Sequence, residues 1–257
     1  MSTRKITAAD IKAMKGRERV AALTAYDHPT ARILDDCGIP LLLVGDSLGM
    51  VVLGYPDTTH VTQAEMEHHV RAVARAKPNA LLAADLPYRS YDTVEDAVKN
   101  AKALVAAGAE AIKAEGGREI LPQVKAIIAA GIPFLGHLGM LPQHILEEGG
   151  YHIKGKQEQE RQSLIADAQA LSDAGAFAIV LELVSAPVAA EISQNIPIPT
   201  IGIGSGKSCD GEILVVSDLL GTSLYIPKHV KNNAHLGDQM RIAITDWKNL
   251  VSSMPRK

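Results

Sequence analysis

Leu41-Leu42-Leu43-Val44-Gly45-Asp46-Ser47-Leu48-Gly49 decides the fold: four branched apolar residues end abruptly in a glycine, a carboxylate and a hydroxyl. A run without polar alternation fits a strand buried on both faces, and such strands belong to parallel sheets. The arrangement recurs along the chain. Leu81-Leu82-Ala83-Ala84 runs into Asp85, Ala111-Ile112-Lys113-Ala114 into Glu115, Pro133-Phe134-Leu135-Gly136 into His137, and Ala178-Ile179-Val180-Leu181 into Glu182. Five apolar segments, each delivering a chemically capable side chain at its C-terminal end, imply a parallel sheet whose ends converge on one site.

Helical segments separate these runs. Thr7 with Asp10 and Thr62 with Glu65 read as capping boxes, and Gly38, Gly108, Gly131 and Gly175 fall where helices should stop. Strands are expected at 20–25, 40–45, 81–85, 110–115, 132–137, 176–182 and 198–203, with 214–216 the candidate for an eighth and a last helix over 238–250. This βα alternation allows a closed barrel or an open doubly wound sheet. Eight strands, with carboxylates ending the second, third, fourth and sixth, favour a (β/α)8 TIM barrel, since an open sheet gathers its chemistry at one switch point. The 257 residues suit one such barrel domain, 1–257, with a short N-terminal helix.

An apolar share of 47% supports a sizeable core, while a net charge of −3 and 4% aromatics give nucleic-acid binding no support. Cys37 and Cys209 are the only cysteines, which argues against a disulfide framework or thiolate-bound zinc. The charged N-terminus lacks the apolar core of a secretory signal, and no apolar run approaches a membrane span. A cytoplasmic address is the expectation.

Asp46, Asp85 and Glu115 end three consecutive strands and would share one arc of a barrel mouth. Three carboxylates that close need a counter-charge, and an oxygen-only set selects Mg²⁺ or its stand-ins. Lys113, two residues before Glu115, faces the same way and can grip an anionic or enolate oxygen as an ammonium; acidic neighbours oppose the lowered pKa that a Schiff-base amine needs. Glu182 stands apart from the metal arc as a general base for a carbon acid. His137 can hydrogen-bond a substrate oxygen, and Ser47 can bind a carboxylate.

Two further features carry less. Gly202 to Ser208 is one residue short of a P-loop, although a Gly-rich turn after strand seven can bring backbone close to a ligand. His68 and His69 are adjacent on a helix and diverge by about 100°, so they read as surface or interface residues.

Val44-Gly45-Asp46-Ser47-Leu48-Gly49, Ala84-Asp85-Leu86-Pro87, Lys113-Ala114-Glu115-Gly116-Gly117, Gly136-His137-Leu138-Gly139, Leu181-Glu182 and Ile201 to Gly206 together resemble the ketopantoate hydroxymethyltransferase (3-methyl-2-oxobutanoate hydroxymethyltransferase) family. The resemblance runs in order from Thr24 to Lys228. It implies a Mg²⁺-dependent barrel of the phosphoenolpyruvate/pyruvate type, commonly decameric. Such enzymes transfer a hydroxymethyl group from 5,10-methylenetetrahydrofolate to 3-methyl-2-oxobutanoate, toward pantothenate and coenzyme A. By this resemblance the metal acids are Asp46, Asp85 and Glu115, the keto-acid contacts Asp46, Ser47, Asp85 and Lys113, and the proton acceptor Glu182. A metal-dependent lyase or aldolase acting on 2-oxo acids is the alternative. Met140-Leu141, Glu212 and Ser217 depart from the family pattern and leave the acid and lysine set intact.

Overall fold

The computed structural model describes residues 4–231 and 234–254. The chain forms two compact units, 1–213 and 214–257. In chain order the elements begin with α1 (Ala8–Ala13), β1 (Val20–Thr24), α2 (His28–Asp36), β2 (Leu41–Val44), α3 (Leu48–Val51), α4 (Gln63–Ala74) and β3 (Leu81–Asp85). Next come α5 (Val94–Ala107), β4 (Ala111–Glu115), α6 (Leu121–Ala129), β5 (Phe134–Gly139), α7 (Ile145–Glu148), α8 (Glu158–Ala174) and β6 (Ala178–Glu182). The series ends with α9 (Ala186–Asn195), β7 (Thr200–Ile203), β8 (Gly211–Leu214), α10 (Val216–Leu220) and α11 (Leu236–Ser252). The strands follow one another around a closed barrel, and each consecutive pair from β1 to β8 is parallel.

Both expected capping boxes are present: the Thr7 and Thr62 side chains accept from the backbone N–H groups of Asp10 and Glu65, whose carboxylates reach back. Each such cap is worth about 1 kcal/mol. Alternate strand residues, Leu41 and Leu43, Leu81 and Ala83, Ala111, Leu135, Ala178 and Val180, fill one apolar cluster. Ile11 of α1 belongs to the same cluster, with Ile6, Ala8 and Met14 packed against it. Ile6 N–H donates to the carbonyl of Asn79, just before β3, so α1 stoppers the N-terminal end of the barrel. A fully buried leucine or isoleucine there contributes about 1.5–3 kcal/mol.

The eighth strand corrects the sequence expectation. It runs from Gly211 to Leu214, three residues earlier than expected, and Val216 opens α10 instead of sitting in the strand. Glu212 is exposed, and a glycine followed by an acid does not read as a buried strand. Yet Gly211 is required where the ring closes. A Cβ on it would lie 2.2 Å from the carbonyl oxygen of Val20, so only glycine lets β1 come this near.

The Gly-rich segment between β7 and β8 also makes structural contacts. Seven residues, 204–210, replace a crossover helix and lead straight to the start of β8. Ser205 Oγ donates to the carbonyl of Leu181 and accepts from Val184 N–H. Asp210 accepts from Thr200 N–H at 2.9 Å and pairs with Lys15 at 2.7 Å. In the second unit α11 spans two residues more at each end than the apolar pattern marked out.

Candidate active site

The same inward alternation that fills the barrel delivers the site. Continuing Leu81 and Ala83 gives Asp85; continuing Ala111 gives Lys113 and Glu115; Leu135 gives His137; Ala178 and Val180 give Glu182. Strand pairing sets their heights, with Asp85 level with Lys113 and Glu115 level with His137, while His137 pairs Val180, two residues below Glu182. Side chains that would otherwise extend the core therefore form a polar ring at the C-terminal end. Asp46 is placed differently, in the turn after β2, where its N–H donates to Asp85 Oδ2 at 3.1 Å.

Lys113 Nζ lies 2.7 Å from Asp85 Oδ1, and both side chains are buried. His137 presents Nδ1 to Glu115 Oε1 at 3.5 Å and Nε2 to Glu182 Oε2 at 3.3 Å. Burial opposes the charge on Lys113, but Asp85, Glu115 and Asp46 together hold its pKa above the ordinary lysine value. It stays an ammonium, which disfavours the Schiff-base route. Burial, then Asp85, pushes the Asp46 carboxyl up to about 7, against the pull of Lys113. Burial and then Asp46 raise Glu115 well above the carboxylate range. His137 is held well below its usual value by burial and by Lys113, so it is neutral.

Glu182 is gripped through its backbone. Met140 N–H donates to its carbonyl at 2.7 Å, and Gly139, at φ +100°, stands so near that a Cβ would meet that oxygen at 2.2 Å. The following residue, Leu183, adopts a left-handed φ of 49°, held by Ile203 and Lys154 through its N–H and carbonyl. Such a conformation costs a leucine about 1–2 kcal/mol and marks a place where geometry outranks local preference.

Asp46, Ser47, Asp85, Lys113, Glu115, His137 and Glu182, the candidate site residues of the sequence, all lie in or beside this ring. Ser47 is half-buried, its Oγ 2.9 Å from the Tyr26 hydroxyl. Three participants had escaped the sequence reading. Gln143, in the turn after β5, bonds Asp46 and, through its backbone, Glu115; Tyr91 donates to Gln143; Tyr26 supports Ser47. Gln143 sits in the long connection between β5 and α8. The His68 and His69 rings meet edge to face, and His69 Nδ1 bonds the Tyr26 carbonyl, so neither belongs to the ring of acids.

Among the described residues, no three His, Cys, Asp or Glu side chains converge closely enough to hold a metal ion by themselves. The donor chemistry nevertheless suits a hard divalent cation, since three buried oxygen acids face one buried ammonium. Mg²⁺ usually takes one or two protein carboxylates and completes its shell with water and substrate oxygens. An open arrangement fits that habit.

A closed, parallel eight-stranded barrel with an acid and lysine ring at the strand ends defines the class, a (β/α)8 barrel whose candidate site lies at the C-terminal mouth. Solved structures agree on that fold. A phosphonomutase structure from Burkholderia cenocepacia aligns with TM-score 0.67 at 15% identity, covering 94% of this chain and 98% of that one. A phosphonopyruvate hydrolase solved with oxalate and Mg²⁺ aligns at 0.64 and 14%, covering 98% and 92%. Closer kinship comes from sequence. The profile of the ketopantoate hydroxymethyltransferase family matches residues 5–255, and this chain belongs to that family. The 3-methyl-2-oxobutanoate hydroxymethyltransferase of Caldivirga maquilingensis is 49% identical over 98% of this chain and 95% of its own length. That of Syntrophus aciditrophicus is 50% identical, over 95% and 91%.

Proposed function

We infer that this enzyme transfers a hydroxymethyl group from 5,10-methylenetetrahydrofolate to 3-methyl-2-oxobutanoate, forming ketopantoate and tetrahydrofolate for pantothenate and coenzyme A synthesis. Family membership supports the reaction. One observation carries the assignment of roles: of the acids and bases in the ring, Glu182 is the accessible one, its side chain 17% exposed, whereas those of Asp85, Lys113, Glu115 and His137 are sealed.

Asp46, Asp85 and Glu115 are the residues that would hold Mg²⁺. When bound, the cation supplies Lewis-acid polarisation of the keto group. Asp46, Ser47, Asp85 and Lys113 bind the keto acid, and His137, neutral between Glu115 and Glu182, donates to a substrate oxygen. Glu182 takes the proton from C3. Lys113, held as an ammonium by its acidic neighbours, stabilises the enolate oxygen as charge develops. Both C–N bonds that hold the methylene carbon to the carrier break as that carbon bonds to C3 and to the oxygen of a water; the C3 proton and the two water protons end on the two carrier nitrogens and the new hydroxyl.

The enzyme works on small molecules. No helix among the described residues is long and apolar enough to cross a membrane, and the cytoplasm is the compartment we assign. Self-association is supported by α11, where Met240, Ile244, Trp247 and Val251 form an exposed apolar stripe at helical spacing. A decamer is the assembly suggested by the family resemblance.

Replacing Glu182 with Gln tests the base. The variant should lose solvent-deuterium exchange at C3 of the keto acid, measured by NMR, and retain keto-acid binding. Undiminished exchange would remove Glu182 from the role.

A further inference from the structure

Gln143 is 1% exposed, though it comes from a long connection whose neighbours are mostly accessible. Its Nε2 donates to Asp46 Oδ2 at 2.7 Å and to the Leu86 carbonyl at 2.9 Å. Its Oε1 accepts from the Tyr91 hydroxyl at 2.6 Å, and its backbone N–H donates to Glu115 Oε2 at 3.0 Å. Each polar group of the side chain thus has a partner of the right kind. A flipped amide would turn its carbonyl toward a carboxylate and a second carbonyl, so these surroundings accept one orientation. Tyr91 has a single hydroxyl proton. Its contact with Gln143 is shorter than its 3.2 Å contact with the Glu115 carbonyl, and Gln143 takes it.

One residue therefore ties together the ends of β2 and β3 through its side-chain amide and of β4 through its backbone N–H, from a turn that follows β5. The two side-chain acids it touches, Asp46 and Glu115, belong to the set assigned to the cation. We propose that Gln143, oriented by Tyr91, is a positioning residue that occupies one oxygen of Asp46 and one of Glu115 and so sets which oxygens are left for the divalent cation. The inference rests on the functional reading above. It explains how carboxylates delivered by separate strands, none of them closing a cage, are kept in register before a ligand arrives. Partners at this remove from a metal typically change its affinity by about 10–100-fold when removed.

The test is Mn²⁺ binding to metal-stripped protein, with free Mn²⁺ counted by its EPR signal, alongside thermal unfolding. Gln143→Met keeps the length of the side chain and removes every side-chain hydrogen bond. Tyr91→Phe removes the hydroxyl alone. Gln123→Met is the control, because Gln123 bonds the carbonyls of Tyr91 and Asp92 without touching an acid. Mn²⁺ affinity should fall about 10–100-fold in Gln143→Met and several-fold in Tyr91→Phe. It should hold at the wild-type value in Gln123→Met, even where unfolding temperatures drop alike. A wild type that binds Mn²⁺ with Gln143→Met equal to it overturns this inference alone. If Gln143→Met does not fold, unchanged affinity in Tyr91→Phe overturns it equally. A wild type that binds no Mn²⁺ overturns both this inference and the reading beneath it.

Discussion

Replacing Asp46 with Asn should make the metal-free protein more stable, and increasingly so as pH rises. Burial, then Asp85, lifts the folded-state carboxyl from its ordinary 3.8 to about 7. Below about pH 4 the acid is protonated folded and unfolded alike, and it contributes nothing. Above about pH 7 it is charged in both, and the folded state carries the full burden of a buried, poorly neutralised carboxylate. The difference corresponds to a ceiling of about 4 kcal/mol, of which about 2–3 kcal/mol should develop between pH 5 and pH 8. His137 titrates with the opposite slope but is common to both proteins, so it largely cancels in the comparison. Removing Asp46 also relieves Glu115, for which Asp46 is the foremost charged neighbour. The assay is urea unfolding of chelator-treated wild type and Asp46→Asn at intervals from about pH 5 to about pH 8. A stability difference that stays constant across that range would refute the reasoning, because it would mean that the Asp46 carboxyl titrates normally in the folded chain.

The cation role proposed for the same acid makes a second prediction. Since Asp46 holds its proton up to about pH 7 and Glu115 is raised as well, divalent binding must expel at least one proton, and affinity should fall by at least about tenfold for each pH unit below that point. Calorimetry in buffers of different ionisation enthalpy counts the protons released, and affinity independent of pH between about 5 and 7 would contradict it. At the other end of the barrel, Gly211→Ala forces a Cβ to within 2.2 Å of the Val20 carbonyl. It should lower stability by about 1–3 kcal/mol through a shift of the β1 and β8 join, read by urea unfolding. A neutral effect would show that the ring closes with room to spare.

Much of the site was legible because it continues the pattern that builds the fold. Asp85, Glu115, His137 and Glu182 each end an apolar run, and two-residue alternation carries them into the barrel with the core residues below. Lys113 was legible by its spacing from Glu115. Strand eight was obscured because its first residues, Gly211 and Glu212, were chosen by a close backbone approach and by exposure, neither of which leaves an apolar trace. Gln143 and Tyr91 were hidden for another reason. An amide and a phenol in loops 52 residues apart carry no charge pattern, and only the folded chain brings them together. Asp46 stood between these cases: its carboxylate was conspicuous, but its contact with Asp85 depends on the turn.

Uneven pairing around the ring has a consequence for motion. β5 and β6 share five paired residues, whereas β7 and β8 share two. Local opening is cheapest where fewest backbone hydrogen bonds must break. Amide protons at the β7 and β8 seam should therefore trade with solvent faster than those between β5 and β6. The barrel can breathe there while the arc from β2 to β6, which carries the candidate site residues, keeps its shape.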